Sequence, residues 1–234
     1  ADGVTHAPVS LPFGKRTISK KLRLSPDAFC QAAFHLAYHR THGAMAPTYE
    51  SCSTGTFFHG RTETLRTATA PMRELCRTFR EAGSGNARDA SSEQRDKLRE
   101  LVRRVSAEHV RLAKEASSGR GVDRHLLALR SALEGGAIAG VKGDDGHAFF
   151  QDPLFTASSA RWLMTTSNIS KPFVDWFNFA PVEQEGYGLG YTIDDASIRT
   201  AVSAFSSSDA TDASHMGQAV EQAALDLLSI HEER

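Results

Sequence analysis

The feature that most constrains this chain is a change in its hydrophobic pattern at about residue 145. Before that point apolar residues recur at helical spacing, and after it come short β-branched and aromatic runs bounded by Pro, Gly and Ser. The last segment, Met216 to Ile230, returns to helical spacing, with intervals of four, three, four and three residues. Because helices on both sides of a strand-rich block must share a core with it, the sequence predicts an α/β or α+β domain.

Four helices are predicted before the change in pattern. The first follows Ser25, a good N-terminal cap, and ends before Gly43, which suits the left-handed position after a helix. The others are predicted at about 71–82, at 92–116 and from Asp123 to Gly135. The Gly-, Ser- and Asp-rich stretch after the second helix, GSGNARDASSEQ, is predicted to be an exposed loop.

Four strands are predicted after the change in pattern, and we expect them to form one sheet. They are RWLMTTS (161–167), VDWFNFA (174–180), GYGLGYTI (186–193) and SIRTAVSAF (197–205). No internal repeat is present, so a solenoid or propeller is not expected.

Composition limits the classes of function. The 234 residues include 27 basic and 28 acidic side chains, a net charge of −1, and this balance predicts no nucleic-acid partner. No apolar run approaches the length of a membrane span. The three cysteines lack the spacing of a metal site, so we expect free thiols and no bound metal.

Nine short motifs occur along the chain in an order that is typical of one family. They are FGKRTISKKLRLSPDAF, LAYHRTHG, PTYES, GRTETLRTAT, VDRHLLAL, DPLF, LMTTSNIS, FAPVEQEGYGLGY and EQAALDLL. The set resembles the C-terminal half of the choline/carnitine acyltransferases over nearly the whole chain, most weakly at residues 1–10 and 84–94. The resemblance implies a mixed β-sheet flanked by helices, as in chloramphenicol acetyltransferase.

The resemblance also implies a reaction that this chain performs only in part. The family moves an acyl group between coenzyme A and the hydroxyl of carnitine or choline, with a histidine as general base. That histidine belongs to the family's N-terminal half, and neither His109 nor His125 stands at a matching position. We therefore expect residues 1–234 to form a single C-terminal domain that needs an N-terminal acyltransferase domain, or another chain, as its partner.

The hydroxyl triplet Thr165, Thr166 and Ser167 matches the Ser-Thr-Ser motif of the family. By resemblance Ser167 stabilises the oxyanion of the acyl-transfer intermediate, and Thr165 replaces the first serine of the motif. Asn168 replaces the glutamine that usually follows. For an isolated triplet, the alternative is a strand end whose hydroxyls satisfy backbone groups.

By resemblance the carnitine carboxylate is held by Tyr49, Thr62 and Arg124, and the trimethylammonium lies near Phe179. The choline-specific members have Asn in place of Arg124, so the pattern favours carnitine. A surface cation and a buried core phenylalanine are the alternatives for Arg124 and Phe179. Phe177 stands where short-chain members have a bulky residue, which predicts a short acyl pocket.

The coenzyme A contacts implied by the resemblance are Lys15 and Lys20 with the 3′-phosphate, and Asp27 and Glu50 with the nucleotide and the pantetheine. Lys15 aligns only if one extra residue is allowed between it and Asp27. A solvated basic stretch is the alternative for the lysines. Coenzyme A or acyl-coenzyme A is expected as a substrate, and no permanently bound cofactor is expected.

Two further readings remain open from the sequence. One alternative is a domain recruited as a non-catalytic assembly subunit of a larger complex, and the other is a module that binds acyl-coenzyme A or carnitine without turnover. Retention of Tyr49, Thr62, Arg124 and Ser167 favours the enzyme part. The C-terminal sequence SIHEER carries no peroxisomal tripeptide, which favours a mitochondrial address over a peroxisomal or cytoplasmic one.

Overall fold

The structure is a computed structural model that describes residues 3–82, 90–135 and 145–232. Most of the predicted loop GSGNARDASSEQ lies outside these ranges, and its last residues belong to a helix. Among the described residues no helix is both long and apolar enough to cross a bilayer.

The described residues form six strands and seven helices. The strands are β1 (Val4–Leu11), β2 (Thr48–Ser53), β3 (Thr62–Leu65), β4 (Met164–Asn168), β5 (Tyr187–Ile193) and β6 (Ile198–Phe205). The helices are α1 (Pro26–His42), α2 (Ala70–Glu81), α3 (Ser92–Glu115), α4 (Asp123–Glu134), α5 (Asp145–Gln151), the single turn α6 (Pro153–Phe155) and α7 (Ala213–Ser229). Three wide π-helical turns, Arg16–Leu22, Ala116–Arg120 and Thr156–Ala160, adjoin the helices.

All six strands belong to one mixed sheet in the order β1-β6-β5-β4-β2-β3. The β5–β4 and β4–β2 pairs are parallel, and the other three pairs are antiparallel. Helices flank this sheet, so the predicted fold class is confirmed.

One face of the sheet is covered by helices. The ring of Phe34 in α1 lies 5.2 Å from that of Tyr191 in β5, edge to face. Gly217 of α7 faces Val9 of β1, where a Cβ atom would lie 3.4 Å from the Val9 side chain. We call this the helix face, and we call the opposite side, which bears Gly188 and Gly190, the site face.

The predicted helix ends agree with the structure. The Ser25 hydroxyl accepts a hydrogen bond from the Ala28 N–H, and Gly43 has a φ of 71°, which favours glycine. The strands β1, β2 and β3 were not predicted. The sequences TYESCS of β2 and TETL of β3 carry few apolar residues, so they lack the pattern of a half-buried strand.

The predicted strand at 174–180 is wrong. This segment has no ladder partner, because β5 is already paired on both edges, with β4 and with β6. It crosses the site face instead, and side chains satisfy its carbonyls. The Ser203 hydroxyl donates to the Phe179 carbonyl, and the Thr192 hydroxyl donates to that of Asp175.

Candidate active site

The hydroxyl triplet forms most of β4 and alternates between the two faces of the sheet. Thr165 and Ser167 pair with Gly188 and Gly190 of β5, so both point to the site face, and Thr166 points to the helix face. The buried Thr165 hydroxyl donates to the Tyr187 carbonyl at 3.2 Å. Ser167 is half-buried, and its hydroxyl oxygen lies 3.4 Å from the hydroxyl oxygen of Ser51.

The structure brings Tyr49, Thr62 and Arg124 together, and we call these three residues the Arg124 clamp. Arg124 Nη2 donates to the Tyr49 hydroxyl at 2.9 Å and to Thr62 Oγ1 at 3.2 Å. The guanidinium also lies 5.7 Å from the centre of the Tyr49 ring. In the described part of the chain Arg124 forms no ion pair, so its charge remains available to an anion.

The backbone around the Arg124 clamp is held from below by a buried carboxylate. Glu63 Oε1 accepts hydrogen bonds from the Thr64 N–H at 2.6 Å and from the Arg124 N–H at 3.2 Å. Gly121 is required here, because a Cβ atom at that position would lie 2.2 Å from Glu63 Cγ. The start of α4 is thereby fixed against the edge strand β3.

A cleft of about 110 Å³ opens beside the Arg124 clamp. Tyr49 and Arg124 form part of its wall, and Leu127, Phe155 and Trp162 supply apolar surface. A guanidinium next to apolar walls suits a small ligand that carries both a carboxylate and hydrocarbon.

Phe177 and Phe179 lie over the glycines of β5. The Phe177 and Phe179 rings lie 6.3 Å apart and nearly parallel. A Cβ atom at Gly190 would lie 2.5 Å from the Phe177 carbonyl oxygen, and one at Gly188 would lie 2.8 Å from that of Phe179. Only glycine permits this approach, and it places Phe177 above the residue that pairs with Ser167.

Asp27 and Glu50 meet beneath the sheet, on the helix face. The Tyr191 hydroxyl lies 2.6 Å from Asp27 Oδ1 and 3.0 Å from Glu50 Oε1. His109 Nε2 lies 3.1 Å from Asp27 Oδ2, and Asn168 Nδ2 donates to Asp27 Oδ1 at 2.9 Å. The five residues form a cluster that we call the Asp27 cluster.

The pKa values of the two carboxyl groups in the Asp27 cluster are shifted in opposite directions. Burial, with the charge of Asp27 beside it, raises the pKa of Glu50 well above its usual range. Burial also opposes ionisation of Asp27, but hydrogen bonds with His109, Glu50 and Tyr191 outweigh it and hold the pKa of Asp27 below its usual range. Asp27 is therefore the charged member of the pair, and Glu50 keeps its proton.

Ligand atoms of Asp27, Glu50 and His109 lie within 4.8 Å of one another, a grouping that has the composition of a metal site. Hydrogen bonds from His109, Tyr191 and Asn168 already occupy the Asp27 carboxylate. These bonds explain the grouping without a metal, so we assign it to the hydrogen-bond network.

The predicted coenzyme A residues occupy different surroundings. Lys15 and Lys20 are exposed, immediately before and within the π-helical turn that leads towards α1. Asp27 is partly exposed in the first turn of α1, whereas Glu50 is only 3% exposed. Contact between these four residues and coenzyme A stays a prediction.

Sequence reasoning missed several residues that shape the site. Ser51 follows from strand alternation once β2 is recognised, because it shares a face with Tyr49. Gln31 is fully buried in α1 and links Thr166 to the Tyr191 hydroxyl. A glutamine among apolar residues of a helix was the available signal. His109 is buried, and its Nε2 lies 3.1 Å from Asp27 Oδ2, so it belongs to the polar network of the Asp27 cluster.

The chain belongs to the choline/carnitine O-acyltransferase family, because the model of that family matches residues 5–222. The bovine mitochondrial carnitine O-palmitoyltransferase 2 is 37% identical over 84% of this chain and 28% of its own length. The bovine peroxisomal carnitine O-octanoyltransferase is 33% identical over 94% of this chain and 34% of its own length. The chain thus spans about a third or less of these relatives.

Solved structures also resemble the chain. The wax ester synthase/diacylglycerol acyltransferase from Marinobacter aquaeolei VT8 covers 95% of this chain and 48% of its own, with a TM-score of 0.48 and 10% identity. An epimerization domain of tyrocidine synthetase B has a TM-score of 0.45 and 10% identity.

Proposed function

We propose that this chain is the C-terminal domain of a carnitine O-acyltransferase, which moves an acyl group reversibly between coenzyme A and the carnitine hydroxyl. The observation that carries the proposal is the Arg124 clamp, in which a guanidinium that pairs with no carboxylate among the described residues meets two hydroxyl groups. A carboxylate bound there gains charge-assisted hydrogen bonds from the guanidinium and accepts from both hydroxyls. Choline has no carboxylate and cannot make these bonds.

In this mechanism Ser167 stabilises the developing oxyanion. Its hydroxyl is half-buried on the site face. When Ser167 donates its proton to the oxyanion, Ser51 Oγ at 3.4 Å is placed to donate its own proton to Ser167 Oγ. The Thr165 hydroxyl is committed to the Tyr187 carbonyl, so Thr165 supports β4 and Ser167 is the better candidate donor. The general-base histidine comes from an N-terminal domain or from another chain.

We assign Phe177 to the end of a short acyl pocket, and Phe179 to the trimethylammonium. The position of Phe177 over Gly190 favours this assignment, because the strand neighbour of Gly190 is Ser167. The relatives are named palmitoyltransferase and octanoyltransferase, so the assignment predicts a shorter acyl group for this chain than those names state. Because Phe177 is taken to block the pocket, Phe177→Gly is expected to extend the range of acyl chains accepted, and an unchanged chain-length profile contradicts the assignment.

The proposed location is mitochondrial, on the strength of relatives named as mitochondrial, and the peroxisome is the alternative that the octanoyltransferase name supports. The test is imaging of the full-length protein in two versions, one with a fluorescent tag at the N-terminus and one with the tag at the C-terminus. Each terminus is then free in one of the two versions.

The decisive experiment compares wild type with Arg124→Asn in the catalytically complete assembly, formed by this chain and the chain or domain that supplies the histidine. We expect the KM for carnitine to rise about tenfold to a hundredfold, because a hydrogen bond to a charged group is lost. Turnover of choline should change little. The matched control is Arg103→Asn, an exposed arginine of α3.

Equal loss with carnitine and choline would contradict the carboxylate assignment. No acyl transfer by the wild-type assembly, together with no binding of carnitine to this chain, would instead favour the non-catalytic assembly subunit.

A further inference from the structure

Arg66 lies directly after β3, outside the Arg124 clamp, and its guanidinium makes four hydrogen bonds. Nε and Nη2 donate to the two carboxylate oxygens of Asp123 at 3.0 and 2.5 Å. Nη1 donates to the Ser158 carbonyl and Nη2 to the Ser159 hydroxyl, both at 2.8 Å. Such a fork places Asp123 and the 158–159 turn in fixed positions relative to β3.

The bond to Asp123 acts on Arg124, the next residue. Asp123 begins α4, a helix that has no side-chain N-cap and buries none of its residues. Packing therefore contributes little to the position of α4. Two contacts fix the first turn of α4 instead. Arg66 holds Asp123 at two points, and the Glu63 carboxylate accepts a hydrogen bond from the Arg124 N–H. Arg66 thus determines where the Arg124 side chain starts.

The second contact acts on Tyr49. The Arg66 guanidinium lies 5.0 Å from the centre of the Trp162 ring, and the Trp162 ring lies 5.9 Å from that of Tyr49 in an edge-to-face contact. A cation above an aromatic face is attracted to it, so Arg66 holds Trp162 against Tyr49.

We infer that Arg66 is a positioning residue for carnitine recognition, which fixes Arg124 through Asp123 and Tyr49 through Trp162. This inference rests on the proposed function. Lysine at this position weakens both contacts, because an ammonium offers no two-point fork for Asp123 and no planar group to stack on Trp162, although it keeps a positive charge.

If the Arg66–Asp123 salt bridge were purely structural, a different result would be expected. Removal of such a bridge lowers the melting temperature and affects all substrates together. A positioning residue affects the substrate that the clamp holds, with little effect on the other substrate or on the rate at saturation.

The test measures steady-state kinetics of Arg66→Lys in the catalytically complete assembly. We expect the KM for carnitine to rise about tenfold or more, while kcat at saturating carnitine and the KM for acyl-coenzyme A stay within about twofold. Asp123→Asn, which keeps the shape of the side chain, should give the same split. The matched control is Arg111→Lys, since Arg111 forms a similar two-point contact with Glu108 on α3.

An unchanged carnitine KM in both variants overturns the inference. It is also overturned if kcat falls and both KM values rise together while the melting temperature drops. A wild-type assembly that does not use carnitine contradicts the proposed function instead, so the two failures are distinguishable.

Discussion

The two faces of the sheet satisfy their polar groups in different ways. On the helix face, Gln31 donates to Thr166 and to Tyr191 and accepts from Thr67, so its partners lie within the folded chain. On the site face, the hydroxyl groups of Tyr49 and Thr62 accept from Arg124 and can still donate. The side-chain contact of Ser167 within the described ranges is a long one, 3.4 Å to Ser51. The polar groups of this helix-face network therefore bond to one another, whereas the site face leaves hydroxyl and guanidinium groups that a ligand of the proposed function can reach.

The largest expected effect on stability comes from crowding the site face. Gly190→Ala places a methyl group 2.5 Å from the Phe177 carbonyl oxygen, and the free energy of unfolding should fall by about 3 kcal/mol. Chemical denaturation measures the change, and Gly3→Ala is the control because no atom lies within 4 Å of its added Cβ. A loss equal to that of the control would contradict the close approach of the Phe177 segment.

The next effect comes from breaking the hydrogen bonds of the helix face. Gln31→Leu keeps a side chain of similar size but removes the acceptor of the Thr67 hydroxyl and the donor to Thr166 and Tyr191, and we expect a loss of about 2 kcal/mol. Gln184→Leu is the matched control, because its one hydrogen bond, to Ser207, is exposed. Equal denaturation midpoints for the two variants would show that the buried network does not stabilise the fold.

A third prediction concerns pH and the Asp27 cluster. The folded chain keeps a proton on Glu50 that the unfolded chain releases above the usual pKa of 4.5. Wild-type stability is therefore lost as the pH rises above that value, up to the raised pKa of the folded state. Glu50→Gln has no such proton. Its free energy of unfolding should therefore rise relative to that of wild type by up to about 1.4 kcal/mol per pH unit over this range.

Urea unfolding between about pH 5 and pH 7 measures this difference, with the exposed Glu221→Gln as control. A constant difference between wild type and Glu50→Gln across this range would mean that Glu50 is ionised in the folded chain.

The smallest expected effect on stability is that of Ser167→Ala. Ser167 is half-buried and has a long contact with Ser51. The free energy of unfolding of Ser167→Ala should therefore differ from that of wild type by less than about 0.5 kcal/mol. Acyl transfer by the complete assembly should nevertheless fall by about a hundredfold. Ser203→Ala is the contrasting variant, since the fully buried Ser203 donates to the Phe179 carbonyl. An unchanged transfer rate in Ser167→Ala would remove the oxyanion role.

The predictability of the fold differed between its elements. Helix ends such as Ser25 and Gly43 depend on local backbone chemistry, so they could be predicted from a few residues. The strand at 174–180 could not be excluded in the same way, because its aromatic pattern is that of a strand. Whether it pairs depends on β5 having both edges occupied, which is a property of the whole sheet.

The candidate site was predictable where a motif names a residue, and less so where residues act on each other. Tyr49, Thr62 and Arg124 were predicted together and lie together. Arg66 and Asp123 are ordinary charged residues in the sequence, and only the three-dimensional contacts reveal their two-point ion pair beside the clamp. Glu50 was predicted as a ligand contact, yet its burial and raised pKa depend on neighbours distant in the sequence.

The π-helical turn Arg16–Leu22 has a consequence for how such chains vary in evolution. An extra residue in an α-helix rotates everything after it by about 100°, whereas a π turn accommodates one more residue in a single wide loop of backbone. The resemblance matches Lys15 to a family lysine only if one extra residue is allowed between Lys15 and Asp27, and the wide turn lies between these two residues. An insertion at this point is absorbed locally, so α1 and the sheet beneath it keep their orientation while the length of the chain changes.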